Sequence, residues 1–286
     1  MSARSLRRLD LDTSWGRLRL VGGSRAGEGT LIVLPQLQLA LDPGRPHRAL
    51  PPMRTVVISH GHLDHLGGLG YWASQRFLNS MPPATLLVPR AVEADVLSLL
   101  QTFARLEGGR PYEITVEPID DESTHQLRRD MELRFFSTDH WVPTLGTRIV
   151  WYKRRLRAEF RHLSQPEIAR RRRDGDEVTE TIPLPILSFC ADSGPGLFDT
   201  HPEVFASEIV LLECSFFSPG DRDRAARYGH THLEDLLPHL GSFGCRHLIL
   251  LHASRRHRMR EIEAYLDDEV RPHFQGELHH LNVDWE

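Results

Sequence analysis

The sequence predicts an α/β protein in which two β-sheets pack face to face and helices cover their outer sides. Three observations lead there. Short apolar runs of strand length recur from one end of the chain to the other, segments of helical period alternate with them, and no linker or internal repeat divides the 286 residues. One domain over residues 1–286 is therefore expected, with ample chain for a large core.

The elements follow in order. Arg17–Val21 alternates, and Thr30–Leu34 and Leu37–Leu41 are apolar runs beside Gly and Pro, so the start of the chain reads as β-hairpins. Arg54–Ser59 is a buried strand, Leu66–Asn79 a helix and Thr85–Val88 another strand. Ala91–Leu106 places Val92, Val96, Leu100 and Phe103 at helical spacing, which predicts an amphipathic helix. Ile114–Pro118, Met131–Thr138 and Arg148–Tyr152 read as strands. The second half repeats the strand-then-helix theme: strands at Ile186–Ala191, Ile209–Cys214 and His247–His252, helices at His232–Leu240 and Arg258–Asp267.

Composition excludes several classes. Hydrophobic residues make up 40% and charged residues 26% of the chain, which excludes a disordered or fibrous protein. No apolar run reaches the roughly 18 residues of a membrane span. The start, MSARSLRRLDLDTSW, lacks the apolar stretch of a secretory leader, so the cytoplasm is the expected compartment. Cys190, Cys214 and Cys245 form no CxxC pair and read as buried reduced thiols. The net charge of −4 gives no overall attraction to nucleic acid. One segment differs locally: Lys153–Arg173 holds nine basic and two acidic residues, and 153–175 reads as an Arg-rich excursion. It is either a solvated charged surface or a patch for a phosphate-bearing substrate.

The chemistry lies in the histidines, of which there are 17. Ser59-His60-Gly61-His62-Leu63-Asp64-His65 follows an apolar strand directly. Residues i and i+2 at an extended strand end point the same way, so His60 and His62 can grip one ion. Asp64 and His65, past the turn, can reach a second. Imidazole and carboxylate without cysteine suit Zn²⁺, with Mn²⁺ or Fe as alternatives. The string does not complete two sites, so further ligands are expected at downstream strand ends. His140 follows the strand Met131–Thr138, Asp192 follows ILSFCA, and His252 ends HLILLH.

These residues resemble the signature of the metallo-β-lactamase fold superfamily, H-x-H-x-D-H followed by a lone His, an Asp and a final His. The resemblance implies a four-layer αβ/βα sandwich, the architecture expected above on other grounds. It implies that His60, His62 and His140 hold one divalent ion, that Asp64, His65 and His252 hold a second, and that Asp192 bridges them. Three local strings resemble the ribonuclease Z branch, which trims precursor tRNA: Asp139-His140 through Gly146, Glu213-Cys-Ser-Phe with Gly229-His230-Thr231, and Leu251-His252-Ala-Ser254-Arg255-Arg256-His257. In that branch a long arm lies between the lone His and the bridging Asp. Here 51 residues separate His140 from Asp192, too few for a full arm and its flanking strands.

The implied chemistry is hydrolysis of a phosphodiester, with RNA a candidate substrate, by a water that two metal ions activate. Asp64 would orient that water or accept its proton. His230, oriented and charged by Glu213, would protonate the leaving oxygen; His232 is its rival in sequence. Ser254, Arg255 and Arg256 follow a candidate ligand and could hold a phosphate, and Asp139 is a candidate partner for His140. The resemblance also implies paired subunits. Two other readings stay open at this point: a hydrolase of a lactone, thioester or other non-phosphate ester on the same ligands, and a non-catalytic RNA-binding protein with a vestigial site.

Overall fold

The computed structural model describes residues 6–285. Two seven-stranded sheets form its centre. The first is ordered as in the chain: β1 (Arg7–Thr13), β2 (Gly16–Arg25), β3 (Gly29–Leu34), β4 (Leu39–Leu41), β5 (Thr55–Val57), β6 (Ala84–Pro89) and β7 (Ile114–Ile119). The second runs β8 (Thr124–Arg128), β9 (Met131–Ser137), β10 (Leu145–Leu156), β11 (Thr179–Phe189), β12 (Ile209–Glu213), β13 (His247–Leu251) and β14 (Glu277–His280). In each sheet the first four strands pair antiparallel and the last four parallel. The halves therefore repeat in topology, although no repeat shows in the sequence.

Strand periodicity builds the four layers. Ile32, Leu34, Val57 and Leu87 of the first sheet meet Leu133, Phe135, Leu187, Leu211, Ile249 and Leu251 of the second in the central core. The alternate residues face outward. Val33, Val56, Ile58, Leu86 and Val88 receive Leu69, Trp72 and Ala73 of α2 (Leu69–Leu78), after the short α1 (Leu63–Leu66), and Val96 and Leu100 of α3 (Glu93–Leu106). Val210, Leu212, Leu248 and Leu250 are covered by Leu233, Leu236, Leu240 and Ile262. The αβ/βα sandwich expected from the sequence is thus the observed fold.

Several boundaries differ. The helix expected over Leu66–Asn79 runs from Leu69 to Leu78; Leu66 instead closes the short α1, and Gly67 and Gly68 between the two pack against the 43–45 turn too closely to carry side chains. The helix expected over His232–Leu240 is α-helical only at Leu233–Leu236 and continues as a 3₁₀ turn. The Arg-rich segment extends the second sheet. β10 continues to Leu156 and pairs with Thr179–Ile182 of β11, and the hairpin carries the helix Gln165–Arg173 with a Ser164/Glu167 capping box. Arg155, Arg157 and Arg171 pair with Glu180, Glu177 and Asp176, whereas Arg172 and Arg173 make no ion pair among the described residues. All three cysteines are buried and free. Among the described residues no helix is long and apolar enough to cross a membrane.

Candidate metal centre

The seven histidine and aspartate side chains singled out in the sequence converge where the C-terminal ends of β5, β9, β11 and β13 meet. His60, His62, His140 and Asp192 bring ligand atoms within 4.8 Å of one another, and so do Asp64, His65 and His252. Asp192 lies between the groups: its Oδ2 is 3.4 Å from Nε2 of both His65 and His252 and 3.8 Å from Nε2 of His60. His252 Nε2 stands 3.3 Å from His65 Nε2 and 3.4 Å from Asp64 Oδ2.

The residues fit divalent ions on a direct observation. Among the described residues, His60 Nε2, His140 Nε2 and Asp192 Oδ1 are buried and find no hydrogen-bond partner. Unpaired buried polar atoms cost about 1–3 kcal/mol each, so three pointing into one centre require an occupant. Burial first, then the neighbouring His65, pushes the His60 pKa down to about 2, and burial lowers that of His140 too, so both rings are neutral and keep a free lone pair. Burial opposes charge on His65, but Asp192 and Asp42 outweigh it and raise its pKa.

Asp42, which the sequence reading missed, organises much of this. Its Oδ2 accepts from His65 Nδ1 at 2.7 Å and from the Ser59 hydroxyl at 2.8 Å, and its Oδ1 accepts from the Ser59 amide. With its proton given to Asp42, Ser59 Oγ accepts from His60 Nδ1 at 2.9 Å. On the other side His252 Nδ1 donates to Ser215 Oγ at 3.1 Å, and Ser215 donates to Glu213 Oε2 at 2.7 Å. His140 Nδ1 donates to the Gly229 carbonyl at 2.9 Å. Each bond fixes the tautomer that leaves Nε2 free for a metal. Asp42, Ala191 and His252 have φ of 51°, 51° and 66°, left-handed values that turn the chain sharply out of β4, β11 and β13. The signal for Asp42 was its place, an acid ending the apolar Leu-Ala-Leu and followed by Pro-Gly.

The catalytic candidates separate clearly. His230 Nδ1 lies 2.8 Å from Glu213 Oε1, and Asp192, His230 and His252 form a further close group. Burial works against charge on His230, but the Glu213 carboxylate prevails and raises its pKa to about 9. His232 is engaged elsewhere: its Nε2 donates to the Ser218 carbonyl and its Nδ1 accepts from the Glu234 amide at a helix start. Among the described residues, Asp139 makes no hydrogen bond or ion pair to a histidine through its carboxylate. Its carboxylate accepts from the Gly196 amide and its carbonyl from that of Gly194, which anchors the loop after Asp192.

A cavity of about 230 Å³ opens over the cluster, lined by His62, Asp64, Trp141, Asp192, Tyr228, His230 and His252, among others. Ser254, Arg255 and Arg256 do not line it. Arg255 borders the neighbouring cleft beside Asp64, is 70% exposed and pairs with Glu28 at 2.7 Å; the Ser254 hydroxyl accepts from the Arg256 amide.

A two-sheet sandwich with paired histidine and aspartate clusters at the shared strand ends defines a metal-dependent hydrolase. Residues 7–253 match the family model of the β-lactamase superfamily domain, and the chain belongs to that superfamily, in its ribonuclease Z branch. The chain is similar to tRNase Z TRZ1 of Arabidopsis thaliana, with 30% identity over 246 residues, 85% of this chain and 87% of the relative. It is 29% identical to the chloroplastic tRNase Z TRZ2 of the same plant over 245 residues, 84% of this chain and 69% of the relative. The short form of human tRNase Z shares the fold with a TM-score of 0.60 at 13% identity, over 93% of this chain and 97% of that one. The chain is a metal-dependent hydrolase acting on phosphodiester bonds.

Proposed function

We propose that the chain is a zinc-dependent endoribonuclease that cleaves precursor tRNA at its 3′ side, with His230 as general acid. The observation that carries this reading is the Glu213–His230 pair at the edge of the ligand cluster. His60, His62 and His140 would hold one ion, Asp64, His65 and His252 the other, and Asp192 both. Two divalent ions bound there supply Lewis acidity and an activated water near neutral pH.

The chain's own groups do the rest. Glu213 keeps the His230 imidazole charged, and Ser193 and Thr231 amides hold the same carboxylate oxygen at 3.1 and 3.3 Å. His230 then gives its proton to the leaving oxygen of the scissile bond. Asp64, held by the Gly27 amide at 2.7 Å, keeps an oxygen toward the cavity to orient the attacking water. Because Glu213 also accepts from Ser215, the acid and His252 share one anchor. A thioester expels a thiolate, which needs no proton donor, and similarity to the tRNase Z relatives favours a phosphodiester over a lactone or other ester. Arg172 and Arg173 on the β10–β11 hairpin would meet phosphates of the bound RNA. The paired-subunit state implied by the family is part of this reading and is tested by sedimentation.

The test is hydrolysis of bis(p-nitrophenyl) phosphate beside a precursor tRNA with a 3′ trailer, on zinc- and manganese-loaded protein. Cleavage of both is expected. Cleavage of the small ester alone would refute the RNA substrate, and cleavage of neither by protein holding two ions would refute the reaction.

A further inference from the structure

Trp141 is 67% exposed and Tyr228 38% exposed, and they are the two aromatic residues among seven large hydrophobic side chains that the described surface leaves open. They stand together, ring centroids 6.4 Å apart and planes 63° from parallel, and both line the cavity over the cluster. Their position is fixed by the centre itself. Trp141 follows His140, whose ring lies 6.5 Å away, and Tyr228 precedes Gly229, whose carbonyl holds His140 Nδ1. Gly229 sits at φ 64°, and a Cβ there would come within 3.2 Å of His140 Nδ1 and 3.6 Å of the Trp141 indole. The glycine thus permits the close approach of the two ring-bearing segments.

Two adjacent exposed rings at the mouth of a polar cavity make an apolar patch with a polar rim, the kind of surface that marks a ligand-binding groove. We infer that Trp141 and Tyr228 form a stacking site for the nucleobase of the nucleotide that carries the leaving oxygen, an inference that rests on the proposed RNA substrate. The side is assigned by His230, which lines the same cavity two residues beyond Tyr228. A base stacked on one ring would meet the edge of the other. Every base has a π-face, so such a site grips RNA without selecting its sequence. It would place the scissile phosphate over Asp192 while the arginines act at a distance.

The experiment is a tryptophan-fluorescence titration of zinc-loaded protein with a short single-stranded oligoribonucleotide, intact or carrying one abasic ribose scanned along it. Wild type should quench, and Trp141→Phe should bind without that quench. Trp141→Ala should bind about 5- to 100-fold more weakly, the scale of one lost base stack. The abasic ribose next to the cleavage point should weaken wild type by a similar factor and Trp141→Ala not at all. Metal content measured on the same samples separates a lost ring from a disturbed His140; if Trp141→Ala loses metal, Tyr228→Ala with the abasic pair decides. An unchanged abasic penalty in these variants would overturn the inference. Quenching without cleavage of any phosphodiester would instead refute the proposed reaction and leave the stacking site standing.

Discussion

Asp42 Oδ2 and His65 Nδ1 stand 2.7 Å apart, both fully buried, and the same oxygen takes the Ser59 hydroxyl that steadies His60. One carboxylate at the end of β4 therefore orients a histidine of each proposed ion. Asp42→Ala should lower zinc affinity about 10- to 100-fold, the usual cost of losing such a partner. Competition with a chromophoric chelator measures it, and wild-type affinity would show that the two rings hold their orientation unaided.

Asp192 offers an oxygen to both groups, so Asp192→Ala should bring the metal content below two ions per chain. Elemental analysis after dialysis reads this directly. Two ions retained would mean that the two clusters bind independently.

His230→Ala should leave the metal content intact and slow phosphodiester cleavage on the order of a hundredfold or more. The pH profile carries a second test. Burial opposes charge on His230 while Glu213 holds its pKa at about 9, so the acid form is present at neutral pH and is lost as pH rises through that value. Glu213→Gln removes the main cause of the elevation. The alkaline limb of the rate profile should then move to lower pH, and a limb that stays in place would assign the proton to another group.

His280 provides a stability test far from catalysis. Burial, then the charge of Arg7, pushes its pKa down to about 4 from an ordinary value of 6.5. The unfolded chain therefore takes up a proton that the folded chain refuses. This contribution is fully present above pH 6.5 and is lost as pH falls toward 4. Urea midpoints at pH 7.5 and 5 should differ less in His280→Gln than in wild type, and an equal difference in both would place the acid sensitivity elsewhere.

The parts of the fold legible in the sequence were those where apolar patterning does the structural work. Val56, Val57 and Ile58, or Leu248 through Leu251, are buried on both sides and advertise strands. The ends of β10 and β11 do not, because Lys153–Arg155 are held by ladder hydrogen bonds with Glu180–Ile182, which need no apolar side chain. β14, with the sequence Glu-Leu-His-His at a sheet edge, is hidden for the same reason. At the site the proposed ligands could be read because their spacing is local or their position follows a strand. Ser215 could not, since a partner held through a second residue leaves no spacing rule in the chain; Asp42 also follows a strand, but it stands apart from the histidine string and so gave a weaker signal. Arg255 and Arg256 follow His252 closely, yet the left-handed turn at His252 carries the chain away from the cavity.

The centre draws on residues far apart in the chain; the nearly touching nitrogens of His65 and His252 are 187 positions apart. During synthesis the first four proposed ligands would leave the ribosome long before their partners, and neither sheet alone owns a complete set. Capture of both ions then becomes a late event that registers successful closure of the whole chain. A product truncated before β13 would carry most of the histidines and still lack the one that locks them.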